Sequence, residues 1–372
     1  MQIAEVEAIP IAIPLETPVS FATRTLRYRD HAVTYIRTES GHEGVGWTLG
    51  YESADLIADV VNGTLAPMIE GEDPRDVRRL YRQMTDGTVQ IGRRGAVMRA
   101  ISTVDIACWD VAATAAETPL HKYLGAARDA VPSYASGGYY RDEKGHSALR
   151  EEVNRYTQAG HDAVKMKVGR LSVSEEIERV RAVREELGAD RTLLMDANGA
   201  WDSAPEALRF CRAAADYNPY FIEEPAMPDN IDLLARINDS LDYSVATGEL
   251  ESTRYGFATL IRAGAADILQ PDVTVVGGIT EWIRVANTAA ARDIPIAPHY
   301  VHNLHTPLLC TVDNATWIEY FYRDQDVVVF DEVVKNPLTP DAEGMMRPND
   351  RPGHGIELDR DAIAQYRSLP DG

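Results

Sequence analysis

The chain opens with alternating apolar positions, Ile9, Ile11 and Ile13 among them, which predict a strand. A second strand is expected over His31–Arg37. The stretch between them, Thr17–Arg29, carries Arg24, Arg27 and Arg29 without periodicity and reads as a loop. Helical spacing follows over Ser53–Ile69, Pro74–Met84 and Arg94–Ala116. The last has Met98, Ile101, Val104, Ala107, Cys108 and Val111 on one face, and Pro119 stops it. Residues 1–125 thus read as an α+β domain.

From Val131 onward the period changes. Short apolar strands are expected at Val131–Ser136, Ala163–Lys167, Arg191–Asp196, Tyr220–Glu223, Tyr243–Thr247, Ile268–Gln270, Ile294–Ala297 and Thr316–Tyr320. Amphipathic helices fall between them, at His146–Ala159, Val173–Leu187, Ala204–Tyr217, Asp229–Ser240, Arg254–Arg262, Ile279–Ala291 and Leu304–Leu309. Eight strands alternating with seven helices predict a closed parallel barrel over residues 126–335. A doubly wound sheet would need fewer strands or a Gly-rich phosphate turn, and neither is visible. The Pro- and Asp-rich segment 336–372 is a poor eighth helix and is expected to run back to the first domain.

Barrel chemistry sits at the C-terminal ends of strands. Here those ends read Lys165-Met166-Lys167, Asp196-Ala197-Asn198, Glu223-Glu224-Pro225, Gly248-Glu249, Gln270-Pro271-Asp272, Pro298-His299 and Trp317-Ile318-Glu319. Any one of these acids is more often a helix cap or a solvated loop residue, and a lone histidine is more often structural. Seven successive endings of this kind point instead to one site. Strand alternation puts Lys165 and Lys167 on the same face, where two cations need anionic partners. Asp196, Glu223 and Glu249 make an all-oxygen set that suits Mg²⁺. Glu223 versus Glu224 stays open; Phe221 and Glu223 share the parity taken as inward. Lys167, crowded by Lys165 and a metal, is expected to have a lowered pKa and to act as a base. Asp272 and His299 form a carboxylate–imidazole pair. Glu319 is placed to hydrogen-bond a substrate carboxylate if it holds or shares a proton. The set fits removal of a proton α to a carboxylate, with Mg²⁺ and Lys165 stabilising the enediolate.

Composition narrows the partners. The 372 residues carry a net charge of -21, which argues against nucleic acid and anionic membranes. Only five of the 37 basic residues are lysines. That acidic, lysine-poor balance reads as a salt-adapted, halophilic cytoplasm. Cys108, Cys211 and Cys310 are dispersed and imply neither disulfides nor a thiolate site. The N-terminus lacks a basic region before its apolar residues, so no signal peptide is expected, and no run of about 18 apolar residues predicts a membrane span.

Taken together, these strand endings, with the helix Ala100–Asp110 continuing to Pro119-Leu120 and Leu124-Gly125, resemble the enolase superfamily, mandelate racemase subgroup. The resemblance covers nearly the whole chain. Thr114 stands where a basic residue or Gln is usual, away from every catalytic position. The resemblance implies a (β/α)7β modified TIM barrel, a capping domain formed by both termini, one Mg²⁺ per subunit and a homo-oligomer from dimer to octamer. It also implies a small-molecule substrate, a hydroxy acid or sugar acid. Dehydration of a sugar acid to a 2-keto-3-deoxy acid is the favoured outcome. Racemisation of a 2-hydroxy acid and cycloisomerisation of a sugar lactone are the enzymatic alternatives, and a catalytically silent sugar-acid binding protein is the non-enzymatic one. Specificity is expected from Thr17–Asp30, from Trp47–Glu52 and from the residues after the first barrel strand. Asn198, Arg24, Trp47, Tyr139 and Tyr140 are the candidate substrate contacts, and Arg24 or Arg141 is suited to a second carboxylate.

Overall fold

The computed structural model describes residues 1–141 and 145–367; the end of the expected C-terminal segment 336–372 lies outside them. β1 (Ile3–Ser20), β2 (Thr25–Thr38) and β3 (Glu43–Leu49) form an antiparallel sheet in that order. Pairing of β1 with β2 continues to Ser20↔Thr25, so most of the expected loop Thr17–Arg29 is hairpin and only 21–24 turn. A register shift between Pro14 and Val19 breaks the alternation there and hides the strand from a period-two reading.

β3 was not expected from the sequence, because glycines at 44 and 46 dilute its pattern. Their role is close approach. A Cβ on Gly46 would lie 2.1 Å from the Thr103 carbonyl oxygen, and one on Gly44 2.4 Å from that of Ala107. Both carbonyls belong to the long helix of the capping unit. The helices here are α1 (Ala54–Val60), α2 (Ala66–Ile69), α3 (Val77–Thr88), α4 (Ala96–Ala115) and α5 (Leu120–Tyr123), with a wider π-type turn at Val61–Leu65. α4 is buried almost all round, between β3 on one side and the barrel on the other.

The barrel strands are β4 (Val131–Gly137), β5 (Ala163–Lys167), β6 (Thr192–Asp196), β7 (Pro219–Glu223), β8 (Ser244–Thr247), β9 (Ile268–Leu269) and β10 (Ile318–Tyr320). Neighbours pair in parallel from β10 through β4 to β9. The strand expected over Ile294–Ala297 is reduced to Ile296, which bridges Leu269 on one side and Ala315 on the other and so closes the ring. Between the strands run α6 (His146–Gln158), α7 (Val173–Leu187), α8 (Ala204–Ala214), α9 (Ile231–Asn238), α10 (Thr253–Ala263), α11 (Gly278–Ala290) and α12 (His302–Leu309).

Inside the ring, Tyr134, Leu194, Phe221, Ala246, Ile268 and Ala297 pack as an apolar floor. Two residues further along β6 and β7, on the same inward face, stand Asp196 and Glu223. The chain after β10 returns to the capping unit. Gly353 O accepts from Leu120 N at 2.7 Å, and His354 N donates to Asp110 Oδ1 at 2.9 Å. β11 (Met345–Met346) pairs with β4, and α13 (Arg360–Gln365) ends the described chain.

Candidate active site

The strand ends converge on a cavity of about 350 Å³ between barrel and capping unit. Asp196, Glu223 and Glu249, all buried, bring one carboxylate oxygen each within 4.8 Å of the others. Among the described residues, Glu223 Oε1 and Glu249 Oε2 have no hydrogen-bond partner. Burial first, then the Asp196 charge, raises the Glu223 carboxyl well above its ordinary range. Clustered buried acids with unpartnered oxygens call for a compensating cation, and an all-oxygen donor set fits Mg²⁺. Glu224 is not in the triad. It lines the cavity with a φ of 39°, and its carboxyl accepts from the Thr247 hydroxyl at 3.4 Å.

Two amines flank the triad. Lys165 Nζ is 2.6 Å from Glu223, 2.6 Å from Glu319 and 3.5 Å from Asp196. Burial opposes its charge, but Glu223 and Glu319 hold its pKa well above the usual lysine range. Lys167 is ion-paired with Asp196. The expected lowering of its pKa assumes a metal held beside Lys167; paired with Asp196, the amine is pushed the other way. Burial lowers the pKa most and Lys165 adds to that, but Asp196, Tyr139 and Glu223 together raise it, and the net shift is upward. Asp196 itself falls to about 2; its burial is overcome by Lys167 and Lys165. Its other oxygen accepts from Asn198 N at 2.9 Å.

His299 Nδ1 lies 3.0 Å from Asp272 Oδ2, and its Nε2 lies 3.6 Å from Glu249. Burial disfavours the imidazolium, yet Glu249 and Asp272 bring the His299 pKa to about 9. Asp272 Oδ1 accepts from the Thr274 amide and hydroxyl, which fixes the carboxylate. Glu319 accepts from Tyr300 N at 3.0 Å. Burial raises its pKa, but Lys165 and His299 bring the net shift below the ordinary value, so it is ionised rather than protonated. Asn198, Glu224 and Tyr300 adopt φ of 45°, 39° and 71°, a cluster of left-handed non-glycine residues where the strands empty into the cavity.

The proposed substrate contacts divide. Arg24, Tyr139 and Asn198 line the cavity. Trp47 does not. Its side chain is buried, stacked on Phe330 at 5.0 Å and edge-on to His354, so it is core. Tyr140 also lies outside. Its hydroxyl bonds Glu176 and Arg179 covers its ring at 4.1 Å. Arg141 reaches Thr17 Oγ1 at 2.7 Å and the Gln325 carbonyl, away from the cavity. Sequence reasoning passed over Arg29 and Arg99 as candidate contacts, and both line the cavity. The signal for Arg99 was available: it is the only basic residue in the run Ala96–Ala115.

A parallel barrel with a triad of carboxylates, two buried amines and a carboxylate-bound imidazole at its strand ends defines a metal-assisted enzyme of the enolase type. The chain belongs to the mandelate racemase/muconate lactonizing enzyme family of the enolase superfamily. Residues 3–125 match the mandelate racemase/muconate lactonizing enzyme N-terminal domain, and residues 148–362 match the enolase C-terminal domain-like family. Arabinonate dehydratase of Saccharolobus solfataricus is 34% identical over 341 residues, 90% of each chain. The 3,6-anhydro-alpha-L-galactonate cycloisomerase of Streptomyces coelicolor is 33% identical over 361 residues, 95% of this chain and 96% of the relative. The crystal structure of L-talarate/galactarate dehydratase from Salmonella typhimurium LT2, liganded with Mg and L-lyxarohydroxamate, superposes with a TM-score of 0.88. It is 31% identical and covers 99% of this chain and 93% of that one.

Proposed function

We propose that this protein is an Mg²⁺-dependent acid-sugar dehydratase. It removes the proton α to a sugar-acid carboxylate and expels the β-hydroxyl as water, giving a 2-keto-3-deoxy acid. The observation that carries this reading is that Lys167 and His299, the latter held by Asp272, line one cavity beside the Asp196, Glu223 and Glu249 triad.

Asp196, Glu223 and Glu249 would hold Mg²⁺, which would supply positive charge beside the substrate carboxylate and offset the Asp196 charge that favours protonated Lys167. Lys167 takes the α-proton. Lys165, fixed by Glu223 and Glu319, faces the negative charge that develops on the carboxylate oxygens. His299 gives its proton to the leaving hydroxyl while Asp272 holds the ring by Nδ1, leaving Nε2 free to act. The enol left behind takes up a proton at C3 as it tautomerises to the ketone, so one water leaves per turnover. The apolar floor of the barrel keeps bulk water from below the reacting carbon.

The test is incubation of the Mg²⁺-loaded protein with a panel of aldonates and aldarates, followed by detection of 2-keto-3-deoxy acids. In D2O, α-deuterium without net conversion supports racemisation instead. Isomerisation of a sugar lactone without loss of water supports cycloisomerisation, which the similarity to the Streptomyces relative keeps in view. Binding with neither exchange nor product across the panel supports a silent binding protein. Assembly as a homo-oligomer, from dimer to octamer, belongs to the same reading and is measured by light scattering. So does cytoplasmic location. Among the described residues no helix is long and apolar enough to cross a membrane.

A further inference from the structure

The cavity has two unlike ends. At the barrel end Glu224, Glu249 and Glu319 line it beside Lys167 and His299, and the buried Asp196, Lys165 and Asp272 pair with Lys167, Glu319 and His299 in turn. At the capping end stand three arginines, Arg24 from the β1–β2 turn, Arg29 from β2 and Arg99 from α4. Among the described residues none of the three has a carboxylate within 4.0 Å, although acids outnumber bases 58 to 37 in this chain. Elsewhere arginines collect acids: Arg37 alone contacts Glu5, Glu7 and Glu43.

Arg29 and Arg99 are each 7% exposed, so solvent does not neutralise them. Each is held by part of its guanidinium only. Arg29 Nε donates to Val327 O at 2.9 Å; Arg99 Nη1 donates to Leu49 O at 2.9 Å and to Thr48 Oγ1 at 3.3 Å. Asp30, beside Arg29 in sequence, is committed elsewhere. It accepts from Glu52 N and Ala54 N at 2.8 and 2.9 Å. Those bonds anchor Tyr51 and Glu52, which carry φ of 51° and 66°. The strained turn sets the Tyr51 ring between two cations, 5.3 Å from the Arg24 guanidinium and 5.0 Å from that of Arg99.

We propose that Arg24, Arg29 and Arg99, arranged around Tyr51, receive a second carboxylate, so that the substrate is a sugar diacid, an aldarate, rather than an aldonate. The inference rests on the sugar-acid reading above. One carboxylate goes to the barrel end, where proton abstraction occurs. The polyol chain spans the cavity, and the far carboxylate meets the unused N–H groups of Arg29 and Arg99. A guanidinium fork matches a carboxylate in shape and charge. The neutral terminal hydroxyl of an aldonate would leave two buried cations without a counter-charge.

The experiment compares configurational pairs, galactarate with galactonate and glucarate with gluconate, on the Mg²⁺-loaded protein. Both kcat/KM and calorimetric Kd are read. The expected result is a preference for the diacid of at least ~100-fold in one pair. Arg99→Met should cut that ratio at least ~10-fold. Arg24→Met, at an exposed turn where folding is not at risk, should cut it in the same direction. Equal kcat/KM and Kd within both pairs overturns the proposal, as does a ratio unchanged in both variants. If no member of the panel turns over, the dehydratase reading fails separately, and the Kd ratio still decides whether the arginine wall selects diacids.

Discussion

Lys165 and Lys167 stand two residues apart on one strand face, yet their surroundings assign them different work. Lys165 is buried and paired with both Glu223 and Glu319, with Asp196 at 3.5 Å. Lys167 meets one carboxylate and opens to the cavity. Lys167→Ala should therefore lower kcat at least ~100-fold while the Mg²⁺ affinity, measured by calorimetry, stays within a few fold. His299→Asn should behave alike, since it removes the proton carried opposite Asp272 and leaves the triad intact. Full activity in either variant would rule out its assigned role. Asp196→Asn tests the ligand set. The amide keeps an oxygen for Asn198 N but loses the charge, and Mg²⁺ affinity should fall more than ~100-fold. Unaltered affinity in that variant would move the metal elsewhere.

At the scale of elements, the capping unit is held to its long helix by missing side chains. Gly46→Ala puts a methyl 2.1 Å from a helix carbonyl that cannot swing away, so β3 and α4 must separate. A loss of about 1–3 kcal/mol in chemical denaturation is expected, and an unchanged midpoint would refute the close-approach account. Asp105, buried in α4, accepts from Thr280 N at the start of α11, while its Oδ2 has no hydrogen-bond partner among the described residues. Burial raises its pKa to about 7, against Thr280 and Arg284, which lower it. The folded state then holds a proton that the unfolded chain releases near 3.8, so stability drains away as pH rises between these values. Asp105→Asn should gain on the wild type by up to about 1.4 kcal/mol per pH unit from pH 5 to 7 and no more above, as read by urea unfolding. A constant difference would deny the shift. Legibility followed the same local rules. β5 and α7 came out of the sequence with their observed bounds, because a strict period met clear ends, including the Ser172–Glu175 capping box. The seventh barrel strand was overstated, since one bridging residue suffices to close the ring. The Mg²⁺ triad was readable because strand ends fix it through parity alone. Trp47 and Tyr140 were not, because which side of a β-strand faces the cavity depends on how the capping unit docks, and docking leaves no period in the sequence.

For the molecule as a whole, charge sets two opposing terms. A net charge of -21 strains the folded state by self-repulsion, which salt relieves. Surface pairs such as Arg79 with Glu72 and Asp76 pull the other way, because salt weakens them. Each exposed pair contributes only about 0–1 kcal/mol, and an acid paired with an arginine no longer counts toward the excess. The unpaired excess acts over the full surface at low ionic strength, where screening reaches ~10 Å at 0.1 M, and collapses at 1 M, where it reaches ~3 Å. Repulsion therefore outweighs pairing, and Tm should rise between 0.1 and 1 M KCl. Potassium chloride is the salt of choice, because sulfate would stabilise any folded chain by exclusion from its surface. A Tm that stays flat or falls over that range would mean that the ion pairs, rather than the acidic excess, govern the surface, and the lysine-poor composition would then carry no salt adaptation. The cavity supplies an internal contrast. Arg29, Arg99 and the carboxylates of the site are buried and little screened, so substrate Kd should respond weakly to KCl.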